Sequence, residues 1–237
     1  LGSKEFSKSN IMGFYRGPNT VTDGLALAVD AGSTRSYPGS GTTTTSLVSS
    51  NTGALTNGVG FSSDDGGAFV FDGVNDYIAF DTTITLPTAN LTSVAWVKID
   101  SYPAADSTIG FSPDSGTSGF RIYSVSSTSL GVWTRTGNGT GVTAISTSSG
   151  IPLNEWIQVT FVVNGTNGKI YYNGAQVANG TFTQPAIISN APVWISRYSG
   201  GNYYIDGKTA NALLYNTALT AAEVLQNYNA QKSRFGL

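Results

Sequence analysis

The chain has 237 residues, a formal charge of −2 and only 11% charged residues, while 40% hydrophobic residues suffice to bury one sizeable core. No run of Lys or Arg makes a stripe able to offset phosphate charge, which argues against nucleic acid as a partner. There is no Cys and no His, which excludes disulfides, thiolate or imidazole metal sites, and Ser-His-Asp or Cys-His hydrolysis.

In chain order, residues 1–6, "LGSKEF", read as the remnant of a cleaved expression tag. Residues 7–24 are polar with scattered Gly and Pro and read as an arm or linker, and residues 25–237 read as one domain. The first predicted strand is "LALAVDA" at 25–31. Short β-type segments closed by turn signals then recur to about residue 215, a spacing that fits an antiparallel sandwich or barrel rather than βαβ units.

Within that series, "FVFDGVNDYIAF" at 69–80 places Asp72 and Asp76 between two aromatic runs and is expected to form a hairpin. "TSVAWVKID" sends Val94 and Trp96 to one face and Ala95, Val97 and Ile99 to the other, as an interior strand does. "SPDSGTSGF" at 112–120 reads as a solvated loop. "KIYYNGAQV" carries Asn173-Gly174, the dipeptide preferred in a two-residue type I′ hairpin turn.

One helix is predicted, in "LTAAEVLQNYNAQK". Thr220 and Glu223 make a capping box, and Leu219 and Val224 a hydrophobic staple. The pattern predicts Val224, Leu225 and Tyr228 buried and Gln226, Asn227 and Gln231 exposed. No apolar run approaches the ~20 residues of a membrane-spanning helix.

Taken in order, "GGAFVFDGVNDYIAF", "LTSVAWVKID", "NEWIQVTFVVNGTNGKIYYNGAQV" and "YYIDGKTANALLYNTALTAAEVLQNY" resemble the laminin G-like domains of the concanavalin A-like superfamily. That resemblance implies an all-β jelly-roll sandwich of two antiparallel sheets with one short C-terminal helix. The segments "GLALAVDAGSTRSYPGSG" and "NYNAQKSRFG" look more narrowly like laminin G-like domains of tailed-bacteriophage structural proteins, which would place the protein on a virion surface. The sequence also departs from the pattern. Ile157 or Gln158 stands where many relatives carry His, and Ala210 where an acidic residue often stands.

Three kinds of chemistry remain to be placed. The glucanases of this fold carry their carboxylates as a run on one strand, and no such run exists here, so no catalytic residue is assigned and the chain is expected not to be an enzyme. Asp72, Asp76 and Asp30 are calcium candidates, against the plainer reading that Asp72-Gly73 simply begins a turn. Trp133 and Arg135 in "GVWTRTGNGTG", with Arg197, Tyr198 and Tyr203 in "WISRYSGGNYY", are the carbohydrate-binding candidates, since sugar rings stack on aromatic faces while Arg bonds their hydroxyls. Trp96 and Trp156 are assigned to the core. The expected partner is host-surface glycan, with an architectural contact to other virion proteins as the alternative.

Overall fold

The protein is described by a computed structural model covering residues 18–86, 90–102, 107–126, 129–136, 141–182, 188–199, 201 and 203–237. Residues 1–6, expected to be a tag remnant, and the expected arm up to residue 17 lie outside the described residues.

Strands come first and one helix last. They begin with β1 (Leu25–Asp30), β2 (Thr43–Thr45), β3 (Thr52–Thr56), β4 (Gly60–Ser62), β5 (Ala68–Asp72) and β6 (Tyr77–Leu86). They continue with β7 (Asn90–Ser101), β8 (Ser107–Ile109), β9 (Phe111–Pro113), β10 (Ser118–Ser126), β11 (Ser129–Thr136) and β12 (Gly141–Ser146). The last are β13 (Trp156–Asn164), β14 (Asn167–Tyr172), β15 (Ala175–Thr181), β16 (Ile188–Ile195) and β17 (Asp206–Tyr215). Helix α1 (Ala221–Gln231) follows and ends in a 3-10 turn at Lys232–Phe235.

The back sheet has the order β15-β14-β13-β7-β17-β5-β4, with β1 also paired to β17. The front layer consists of two ladders, β2-β3-β6-β16-β9 and β12-β11-β10-β8. They are continuous through Gly110, which links β8 to β9 with φ +66°. Alternation along each strand puts one set of side chains between the layers. Phe69 and Phe71 of β5, Val97 of β7 and Phe161 of β13 meet Ile78 and Phe80 of β6, Phe120 and Ile122 of β10 and Val193 of β16 in one core. The Asn173-Gly174 turn forms as expected, with φ +50° and +79° and Tyr172 opposite Ala175.

"FVFDGVNDYIAF" is not a hairpin. β5 pairs with β17 and β4 in the back sheet, whereas β6 pairs with β3 and β16 in the front, so residues 73–76 cross between the layers. Both strands still aim their aromatic residues inward, because each sheet turns one face to the same core.

The outer face of the back sheet is covered by α1. Thr220 and Glu223 form the expected capping box. The buried face of the helix is rotated from the one the pattern predicts: Leu225 is exposed, while Asn227 and Gln231 are buried. Their polar groups have dedicated partners. Asn227 accepts from the Val21 N–H at 2.8 Å and donates to the Tyr215 hydroxyl at 3.1 Å, and Gln231 accepts from Asn211 at 3.2 Å.

Tyr215 completes this buried set by donating to the Val21 carbonyl at 2.9 Å, so the end of the predicted arm is a strap held against helix and sheet. Burial, more than any neighbouring group, pushes the Tyr215 phenol up to about 12. An unfolded Tyr ionises near 10, so the unfolded state loses this proton first. The stability that depends on the neutral phenol is therefore complete below pH 10 and falls as pH rises to 12, by roughly 3 kcal/mol. Urea melts from pH 9 to 11.5 should show that slope in the wild type and a shallower one in Tyr215→Phe; equal slopes would refute it.

The C-terminal turn closes the same face. Phe235 stacks on Trp96 at 4.2 Å between ring centroids and packs on Trp156 at 4.8 Å. The Trp156 indole N–H donates to Asp65 at 2.7 Å. Beside them Arg234 reaches back across the sequence: it bonds both oxygens of Asp30 at 2.8 and 3.0 Å and donates to the carbonyls of Asp65, Gly66 and Gly67.

Candidate functional site

Side chains pointing away from the core on the front layer form an aromatic and guanidinium surface. On β10, Phe120 and Ile122 face inward, so Arg121 and Tyr123 face outward. On β11, Val132 faces inward and Trp133 and Arg135 outward. The register places Arg121 directly opposite Trp133, and Tyr123 opposite Gly131. Gly131 matters here because a Cβ would come within 2.9 Å of the Tyr123 ring, which lies over that position.

The loop after β16 folds onto this face. It brings Tyr198 to 6.0 Å from Trp133, edge to face, and Tyr203 to 4.9 Å from Tyr198. Together these rings enclose Arg121, whose guanidinium carbon lies 4.1 Å from the Tyr198 centroid, 4.5 Å from Tyr123, 4.7 Å from Tyr203 and 5.5 Å from Trp133. Burying a guanidinium costs heavily in an apolar environment, and several ring faces around the cation offset that cost. Burial pushes the Tyr198 phenol up; its bond with Tyr203 acts in the same direction, and Arg121 and Arg135 act against it.

Arg135 lies 4.2 Å from the Trp133 centroid and is fixed by Asp114, which accepts from its Nε at 2.9 Å. Asp114 also accepts from the Gly116 N–H at 2.8 Å and is fully buried. The segment expected to be a solvated loop is thus largely internal, with Ser112 and Ser118 buried as well. The reason is that its first residues pair with β16 as β9, and Asp114 bridges to Gly119.

A second group lies on the β6–β16 side of the same face. Tyr77 precedes the inward Ile78, and Trp194 sits between the inward Val193 and Ile195. Arg197 lies 4.5 Å from the Tyr77 centroid and 5.6 Å from Trp194, and Tyr204 stacks on Tyr77 at 6.3 Å. Of the five sugar-binding candidates, Trp133, Arg135, Tyr198 and Tyr203 are in one cluster, while Arg197 belongs to the neighbouring one. Sequence reasoning missed Arg121, Tyr123, Asp114, Tyr77 and Trp194, while Tyr204 stands in the same candidate loop as Arg197, Tyr198 and Tyr203. "FRIYS" held a signal for Arg121 and Tyr123: a charged and an aromatic residue alternating with core residues on an interior strand.

The acidic candidates do not converge. Asp72 accepts from the Val74 and Asn75 N–H groups at 2.9 and 3.3 Å, the pattern of a side chain shaping its own turn. Asp76 is buried at the crossing, accepts from the Asp72 N–H at 3.3 Å, and has its carboxyl raised first by burial and then by the Asp72 charge. Asp30 is taken up by Arg234. It pairs with Asn211 on β17 while Asp72 pairs with Asp206, five positions along, or about 17 Å at strand rise. Ca²⁺ takes about six to eight oxygens. That separation keeps Asp30 from sharing one ion with Asp72 and Asp76.

A sandwich of two antiparallel layers with one helix behind the back sheet is the architecture of a concanavalin A-like jelly roll. The laminin G model of the concanavalin A-like lectin/glucanases superfamily matches residues 71–225, well over half of the chain, and the chain belongs to that family. No curated protein sequence matches it.

Solved structures agree on the fold. The Trypanosoma rangeli sialidase in complex with sialic acid superposes with a TM-score of 0.65 at 14% identity over 93% of this chain, which spans only 36% of the sialidase. Domain 4 of a GH43 extracellular arabinanase from Geobacillus stearothermophilus, in complex with arabinotriose, gives 0.65 at 16% identity over 86% of this chain and 98% of that domain. The botulinum neurotoxin type G receptor binding domain gives 0.64 at 17% identity, covering 88% of this chain and 52% of the other.

Proposed function

We propose that the chain is a non-catalytic module that binds carbohydrate on the outer face of its front layer. The observation that carries this reading is the set of half-buried rings, Trp133, Tyr198 and Tyr203 with Tyr77, Trp194 and Tyr204 beside them, interleaved with guanidiniums on one face. Rings bind the C–H faces of sugars, and Arg N–H groups bond hydroxyls. The complex of the arabinanase domain, matched over 98% of its length, with arabinotriose is consistent with such a use of the fold. The lack of His and Cys, and of a run of carboxylates along one strand, supports a binding role over hydrolysis. The virion of a tailed bacteriophage is our proposed setting, with host-surface glycan as ligand; it rests on the resemblance of the two ends of the domain described above.

A glycan array probed with the purified protein, with and without Ca²⁺, identifies the ligand and any calcium requirement. Trp133→Ala should then weaken binding by roughly 30-fold, about 2 kcal/mol, as for an aromatic anchor. Unchanged binding in Trp133→Ala and Tyr198→Ala, together with loss of particle incorporation when residues 7–17 are deleted, would instead mean an architectural role.

A further inference from the structure

The chain as a whole is slightly acidic, with 12 Lys and Arg against 14 Asp and Glu, yet the outer face of the front layer is not. Among the described residues, Arg121, Arg135 and Arg197 lie there together with Asp114, which is already engaged by Arg135. Asp81, at an outward position of β6, is four residues from Tyr77, about 13 Å, and is held by the Thr52 N–H and hydroxyl at 2.8 and 2.7 Å. Among the described residues of this face the three guanidiniums outnumber the carboxylates Asp114 and Asp81, which favours an anion over a neutral ligand.

Arg197 differs from Arg121, which is buried within its cage of rings, and from Arg135, which Asp114 engages. It is half-buried, its Nε is fully shielded without a hydrogen-bond partner, and no ion pair reaches it among the described residues. The shielded Nε cannot itself meet an incoming ligand, so an anion would pair with the terminal Nη groups and offset the cost of a half-buried charge left without a counter-ion. The planar fork of Arg matches a carboxylate or a sulfate. Tyr77 and Trp194 flank it with surfaces suited to a sugar ring.

We infer that the glycan taken by this face is acidic, and that Arg197 pairs with its anionic group. The inference rests on the carbohydrate-binding reading and narrows it to saccharides bearing carboxylate or sulfate. A neutral sugar would leave Arg197 without a counter-charge, so the preference for the acid resides at this residue and not in the Arg121 cage.

Isothermal titration tests it with a panel of uronate trisaccharides, the same trisaccharides as methyl esters, and sulfated counterparts. The acid or sulfated form should bind at least 10-fold more tightly than the ester, and the gap should narrow as salt rises. Which anion binds more tightly tells carboxylate from sulfate. Arg197→Gln should close the gap by weakening the acid form at least 10-fold more than the ester, and Arg197→Lys should retain part of it. Thermal melts of both variants control for folding. Equal binding of acid and ester, or an unchanged gap in Arg197→Gln, overturns the inference. If neutral glycans bind and Trp133→Ala weakens them, the carbohydrate reading survives that failure; if no saccharide binds, both fall.

Discussion

Arg234→Ala should destabilise the fold by about 3 kcal/mol, the cost of removing one partner from a buried ion pair. Asp30 would stay buried without its counter-charge, and the carbonyls of Asp65, Gly66 and Gly67 would lose their donor. For a domain of this size the melting temperature should fall by roughly 10 °C. Arg234→Lys should recover little, because a single ammonium cannot reach the carboxylate and three carbonyls as the guanidinium fork does. The loss should also be less than additive with Phe235→Ala, since Arg234 and Phe235 seat the same turn. A drop below about 1 kcal/mol in denaturant melts would mean that the latch is peripheral.

Gly207→Ala should cost as much or more, and for a different reason. Gly207 is the second residue of β17, the strand bonded to β7 on one side and to β5 and β1 on the other. Its φ is +150°, and a Cβ there would lie 2.2 Å from the Lys98 carbonyl oxygen and 3.0 Å from Ile99 Cα. Both contacts are with backbone of the neighbouring strand, so no side-chain rotation relieves them. The register shift between Asp206 and Gly207 marks the bulge that needs this conformation. The expected loss is about 3 kcal/mol or more, with β17 bending away from β7. Hydrogen exchange should report that bend as faster exchange in Lys98–Ser101 than in the wild type; unchanged exchange and stability would refute the argument.

Much of the architecture was legible in the sequence because its signals are local. The Asn173-Gly174 turn, the Thr220–Glu223 capping box and the alternation of Val94, Ala95, Trp96 and Val97 each depend on neighbours a few residues away. The crossing at residues 73–76 was not legible, because a period of two is the same for strands that pair and for strands that face each other across a core. Nor was the buried face of α1. Asn227 is internal only because Val21, 206 residues earlier, brings an amide to it.

The candidate site divides along the same line. Trp133 and Arg135 share a strand face by simple alternation, and Tyr198 and Tyr203 were placed correctly as aromatic residues of one loop. What the sequence hides is how that loop sorts them: Tyr198 and Tyr203 turn to the Arg121 cage, while Arg197 and Tyr204 turn to Tyr77. The match between Arg121 and Trp133 is a cross-strand register, set by the ladder rather than by either strand alone.

The strap at Asn19–Val21 and the turn at Lys232–Phe235 both rest on the outside of the back sheet. The aromatic surface lies on the far side of the sandwich, two layers away. The strap and the C-terminal turn are therefore separated from the aromatic surface by the full thickness of the sandwich. A tether, a neighbouring subunit or a sensor chip joined at either of these two places would leave Trp133 and Arg197 pointing away from the support.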